Sequence, residues 1–142
     1  MSFMNTFHHS VDKKGRIFIP SKLREELGEG FVISVPLDGQ PCLSVYPAEM
    51  WNEIQTKIEA LPMLQKLKVQ RFVNARACKA DCDAQGRVNV PQELRGYAGI
   101  VENVCIIGNG STIEIWDEGT WSEKYEKLGS DEIASVMAEI DF

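Results

Sequence analysis

His9-Ser10-Val11-Asp12-Lys13-Lys14-Gly15-Arg16-Ile17-Phe18-Ile19-Pro20-Ser21-Lys22-Leu23-Arg24 returns 71 positions later as Ala80-Asp81-Cys82-Asp83-Ala84-Gln85-Gly86-Arg87-Val88-Asn89-Val90-Pro91-Gln92-Glu93-Leu94-Arg95. Asp, Gly, Arg, Pro, Leu and Arg fall at the same offsets in both stretches, and Ile17 and Ile19 match Val88 and Val90. The chain is a duplication of one supersecondary unit. In each copy a short strand enters a turn, Asp12-Lys13-Lys14-Gly15 or Asp83-Ala84-Gln85-Gly86. Asp favours the first position of a type I turn, and Gly the fourth, where it can adopt positive φ without steric cost. The returning strand places branched residues at every second position, so one face is to be buried.

Working outward, Pro20 and Pro91 end these strands and open helices at the first turn, where a missing N–H costs nothing. Leu23 and Leu27 at i, i+4 form the apolar stripe of the first helix, with Gly28 as its C′ residue; Leu94, Ala98 and Gly99 repeat the scheme. Further strands are predicted near residues 31–35 and 42–46, then 103–107 and 112–116. Ser44-Val45-Tyr46-Pro47 before Trp51 matches Glu114-Ile115-Trp116-Asp117 before Trp121. Helices are predicted from about Trp51 to Ala60, from Leu64 to Ala77 after Pro62, from Trp121 to Leu128, and from Asp131 to Glu139 with Ser130 as N-cap. The fold class is α+β, one domain over residues 1–142. Its repeats span about 5–52 and 77–122, joined by helices over 53–76 and followed by a helical tail at 123–142. A half of this size buries too little apolar surface to fold comfortably alone, so the two halves are expected to interlock.

Composition excludes several classes. Hydrophobic residues make up 44% and charged residues 25%, values of an ordinary globular protein rather than a disordered or fibrous one. The first nine residues hold neither a basic group nor a long apolar run, so neither a signal peptide nor a membrane span is expected, and the expected location is the cytoplasm. Cys42, Cys78, Cys82 and Cys105 are then expected as thiols. Cys78-x3-Cys82 resembles half of a zinc site, but His8, His9, Cys42 and Cys105 supply no second close pair, so no metal and no cofactor is expected. The net charge of −6 conceals an asymmetry: residues 1–30 carry +1, residues 31–61 carry −3, residues 62–98 carry +4 and residues 99–142 carry −8.

The chemistry lies in the repeated turn. Arg16 and Arg87 begin strands directly after a fixed turn, and a guanidinium offers paired planar donors suited to a guanine edge or a phosphate. Lys13 and Lys14 add phosphate attraction without sequence preference. Asp12 and Asp83 are expected to hold the turn and orient the arginines. The bland alternative is a hairpin staple, an ion pair that merely closes the turn. The basic residues Lys66, Lys68, Arg71, Arg76 and Lys79 form either a solvated face or a further DNA contact. Trp51, Trp116 and Trp121 are expected in the core or at subunit contacts. An enzyme using Asp12 and Asp83 as an acid–base pair lacks a nucleophile, a phosphate loop and a metal cluster, so no enzymatic activity is expected.

Asp-Lys-Lys-Gly-Arg, then Ile-Pro and Leu-Arg-Glu-Glu-Leu-Gly, present in duplicate with Tyr46-Pro47 and Trp116 before Trp51 and Trp121, resembles the MraZ family of bacterial transcriptional regulators over roughly residues 3–128. The resemblance implies a duplicated AbrB-like swapped-hairpin β-barrel, an intrachain pseudo-dimer with flanking helices. It implies a ring-shaped homo-oligomer on double-stranded DNA, associated with the nucleoid. The implied targets are short G-rich tandem repeats upstream of the division and cell-wall gene cluster. Carried onto this chain, the DNA-binding positions are Lys13, Lys14, Gly15, Arg16, Gly86 and Arg87, with Asp12 and Asp83 orienting the loops. Ala84 and Gln85 stand where the first copy has lysines, which implies weaker phosphate contact by the second loop. The alternative function is an AbrB-like protein-interaction or antitoxin-type module.

Overall fold

The computed structural model describes residues 2–140. Its first half runs β1 (Thr6–Ser10), β2 (Arg16–Phe18), α1 (Ser21–Leu27), β3 (Phe31–Ser34), β4 (Leu43–Tyr46) and α2 (Ala48–Glu59). After α3 (Met63–Ala75), the second half repeats the order as β5 (Ala77–Ala80), β6 (Arg87–Asn89), α4 (Gln92–Tyr97), β7 (Asn103–Asn109), β8 (Thr112–Asp117) and α5 (Glu118–Trp121). A π-helical turn at Ser122–Glu126 and α6 (Ser130–Met137) complete the described chain. None of the described helices is long and apolar enough to cross a membrane.

The halves are interlocked strand by strand. One antiparallel sheet has the order β1-β7-β8-β4-β3-β5, and a separate two-stranded ribbon pairs β2 with β6. Within a half only β3–β4 and β7–β8 pair; β1–β7, β4–β8, β3–β5 and β2–β6 all join one half to the other. The order reads the same from either end once each strand is replaced by its repeat counterpart. A pseudo-two-fold axis therefore passes between β4 and β8, as in a swapped-hairpin AbrB-like barrel.

The strand entering each Asp turn does not pair with the strand leaving it. The turn itself is closed, by Asp12 N–H to the Arg16 carbonyl at 3.0 Å and Gly15 N–H to the Asp12 carbonyl at 3.0 Å. Beyond it the strands part, and each finds a partner in the other half. Local sequence pattern could not show this, because a strand's alternation says which face is buried and not which strand lies beside it.

Ile17, Ile19, Val88 and Val90 are all buried and meet Phe31, Ile33, Val45, Ile106, Ile113 and Ile115 in the main core. Leu23, Leu27, Leu94 and Ala98 close it from α1 and α4. Trp116 is buried in a second cluster against Trp121 and Tyr125, and Trp51 packs by Tyr46 in a third.

Several boundaries differ from the sequence reading. Pro20, Pro47, Pro62 and Pro91 occupy N-cap positions with extended ψ between 143° and 151°, one place before the first helical residue. Hence α2 begins at Ala48 rather than near Trp51. Ser130 is not the cap of the last helix: Gly129 holds that position with no side-chain cap, and Ser130 is already helical. The helix expected from Trp121 to Leu128 is a short α5 followed by the π turn, with Asp117 capping through Gly119 N–H at 3.2 Å. The helix expected to reach Ala77 stops at Ala75, because Ala77 and Cys78 are drawn into β5 beside β3. The four cysteines are free thiols. Burial pushes the Cys105 thiol up to about 11 and Cys42 higher still, so neither is a ready thiolate.

Candidate nucleic-acid interface

Each Asp turn is built by its aspartate. Asp12 Oδ1 accepts from the amides of Lys14 and Arg16, both at 2.9 Å, and Oδ2 accepts from Arg16 Nε at 2.7 Å. Asp83 repeats this with the amides of Gln85 and Arg87 at 2.9 Å and with Arg87 Nε at 3.0 Å. Four bonds of this kind per loop, counting the closing Gly N–H, leave little freedom between Asp and Arg. The amide of Arg16 is the main reason the Asp12 carboxyl lies below its ordinary value, with the Arg16 side chain and the Lys14 amide adding to it. The Arg87 amide does the same for Asp83. Both carboxylates are therefore ionised acceptors throughout the physiological range.

Gly15 and Gly86 have φ of 81° and 82°, the left-handed conformation their turn position requires. Both are buried, so these two predicted DNA-binding positions lie beneath the loops rather than on their surface. Lys13 and Lys14 are exposed at the first tip, and Ala84 and Gln85 at the second.

The ribbon fixes where the arginines point. Register pairs Arg16 with Asn89, Ile17 with Val88, and Phe18 with Arg87. Residues directly opposite share a face, and that face alternates along each strand. Ile17 and Val88 are buried, so Arg16, Phe18, Arg87 and Asn89 share the outer face. Strand spacing puts the Cα atoms of Arg16 and Arg87 roughly 8 Å apart on the diagonal. Asp engages only Nε of each arginine; the paired Nη donors make no hydrogen bond among the described residues. The ion pair is thus a staple, as the bland reading had it, yet it leaves the recognition edge of each guanidinium unused.

The middle basic residues are arranged differently. Lys66 pairs with Glu59 at 3.0 Å, and Arg76 stacks on Phe72 at 4.4 Å from the ring centre while bonding the Phe72 carbonyl. Lys68 and Arg71 are exposed on α3, and Lys79 on β5. Among the described residues, no three His, Cys, Asp or Glu side chains come together as a metal cage.

Two residues of the site escaped sequence reasoning. Arg24 of α1 lies over Gly86 of the opposite half, with its guanidinium 5.2 Å from the Phe18 ring centre. Arg95 of α4 lies over Gly15 in the same way and bonds the Val90 carbonyl through Nε at 3.0 Å. Their coincidence in the repeat was visible; their target was not.

A family model described as "MraZ protein, putative antitoxin-like" matches this chain twice, over residues 2–70 and 72–139. The chain belongs to the MraZ family. Its fold is accordingly the AbrB-like one with two repeated units, as the palindromic strand order requires. Similar proteins named "Transcriptional regulator MraZ" occur in Heliobacterium modesticaldum, 41% identical over 143 residues covering 98% of this chain and 99% of the relative. In Acetivibrio thermocellus the identity is 42% over 141 residues, 96% of each chain. In Caldicellulosiruptor bescii it is 45% over 138 residues, 94% of this chain and 95% of the relative. Along the MraZ-family chain described here, the paired Asp loops fall one in each matched stretch.

Proposed function

We infer that this protein is a transcriptional regulator that binds double-stranded DNA through Arg16 and Arg87, with Lys13 and Lys14 holding adjacent phosphates. The observation that carries this reading is the outer face of the β2–β6 ribbon. Two arginines are held there through Nε, side by side, with both recognition edges unpaired. The names of the relatives support regulation of transcription. A separation of roughly 8 Å is less than the ~12 Å width of the major groove, so one groove can receive both side chains. Two guanines two or three base pairs apart suit two such arginines, which is consistent with short G-rich repeats as targets. Asp12 and Asp83 orient the arginines, while Gly15 and Gly86 shape the loop. Neither catalysis nor a cofactor enters this reading.

One chain offers few phosphate contacts, so useful affinity needs several linked copies. The exposed apolar residues Ile133, Val136 and Met137 on α6, and Met63, Leu64 and Leu67 on α3, support assembly into a homo-oligomer, read here as a ring on tandem repeats. The division and cell-wall gene cluster is the proposed target, and the cytoplasmic nucleoid the proposed location.

The test is footprinting on the gene's own upstream region, followed by a mobility-shift titration with that duplex. Protection of G-rich repeats, with cooperative and salt-sensitive binding, is the expected result. The wording of the family description favours a second reading, an antitoxin-type protein-interaction module; that reading predicts no protected repeats.

A further inference from the structure

Arg24 and Arg95 recur in the repeat, yet neither belongs to the loop beside it in sequence. Each crosses to the loop of the other half. A Cβ on Gly15 would lie 2.7 Å from Nη2 and 3.0 Å from Cζ of Arg95. A Cβ on Gly86 would lie 2.6 Å from Cζ of Arg24 and 3.0 Å from the Phe18 ring. The glycines are therefore required twice over, for positive φ and for the guanidinium seated on them.

The chemistry of Arg24 is unusual. Its Nε is buried without a partner, and no carboxylate among the described residues pairs with it. A cation so placed is held by Phe18 and by the flat surface of Gly86. Its charge matters because Asp83 neutralises Arg87, and the second loop has Ala84 and Gln85 in place of lysines. Asp81 beside it is also acidic, its carboxylate bonded to Gly30 N–H at 2.7 Å. Uncompensated positive charge at the second loop thus comes from Arg24.

Resting on the DNA-binding reading above, we propose that Arg24 and Arg95 are positioning residues acting in trans. Each seats the Asp-turn loop of the opposite half, sets the aim of that loop's arginine, and supplies charge the loop does not itself carry. Arg24 serves Arg87, and Arg95 serves Arg16. The two reading loops are then one rigid device, which neither half could form alone.

The crossed wiring gives a distinctive test in the full-length chain. Hydrogen exchange read by mass spectrometry, without DNA, is expected to quicken in the segment 83–88 for Arg24→Met and in 12–17 for Arg95→Met. Binding is then measured by anisotropy on a duplex from the gene's upstream region and on a scrambled duplex of equal length, across a salt series. Arg24→Met is expected to weaken the upstream duplex about tenfold, a coupling energy of ~1.4 kcal/mol. That loss should largely vanish in an Arg87→Ala background and persist in an Arg16→Ala background. Arg24→Lys keeps the charge and the fold but not the flat stack, so it should retain the wild-type salt slope while losing the preference for the upstream duplex. Faster exchange in the mutated residue's own loop, or coupling of Arg24 to Arg16 instead of Arg87, overturns the proposal. Should the wild type itself fail to prefer the upstream duplex, the DNA reading falls, and the exchange pattern alone decides whether the crossed seating exists.

Discussion

At the scale of single residues, the division of labour within Asp-x-x-x-Arg governs what each substitution does. Arg16 donates to Asp12 through Nε alone, so Arg16→Ala removes the reading edge while Gly15 and the loop amides still close the turn. Specific DNA binding in a mobility shift is expected to disappear, a loss of about 1–3 kcal/mol per guanine contact, multiplied over the copies in the assembly. Circular dichroism and particle mass should stay at their wild-type values. Asp12 and Asp83 also predict a pH response. Their folded carboxyls lie below the ordinary value of 3.8, so their stabilisation of the loop is complete above that value. It is lost only as pH falls through the lower folded value. Loop order, followed by exchange of 83–88, should therefore be flat from pH 8 to pH 5 and should loosen only in strong acid. Loosening near neutrality would show that the carboxylates are not held as described.

At the scale of elements, the β2–β6 ribbon couples the reading face to the core. Ile17 and Val88 hang from its inner side with relative exposures of 0% and 1%, directly behind Arg16 and Arg87. Ile17→Ala should cost about 2–5 kcal/mol in a urea unfolding series, because the cavity sits among residues from both halves. A cost under about 1 kcal/mol would mean that the ribbon is not packed as it stands here. Gly86→Ala meets both a positive φ and the Arg24 guanidinium, so it should weaken DNA binding as well as stability. The Asp turn was legible because it is local: an aspartate that bonds the amides two and four residues on, and a glycine at positive φ, depend on nothing distant. The helix starts were displaced for an equally local reason, since each proline adopts an extended ψ as an N-cap rather than the first helical conformation.

At the scale of the molecule, charge and apolar surface are separated. The helix α6 buries none of its residues and exposes Ile133, Val136 and Met137 beside Asp131 and Glu132. Replacing Ile133 and Val136 together by Glu is expected to reduce the particle mass in light scattering without lowering the unfolding midpoint of the chain. An unchanged mass would place the subunit contact elsewhere. DNA affinity should also fall by orders of magnitude between low and moderate salt if six or more phosphates are engaged by the assembly. A shallow salt slope would argue for a protein partner instead.

The sequence by itself determined the duplication, the two Asp turns, the buried alternation of Ile17, Ile19, Val88 and Val90, and the arginines that stand at the turn exits. Each of these is written in short-range pattern, where residue type, φ preference and side-chain period are enough. Only the tertiary structure decided that β1 pairs with β7 and β2 with β6, so that both reading arginines share one face. It also decided that Arg24 and Arg95 rest on each other's loops. Those facts rest on contacts between residues far apart in the chain, and a repeat offers two equivalent partners for every strand. Local pattern cannot choose between them; the choice falls to the burial that two interlocked halves achieve and one half alone does not.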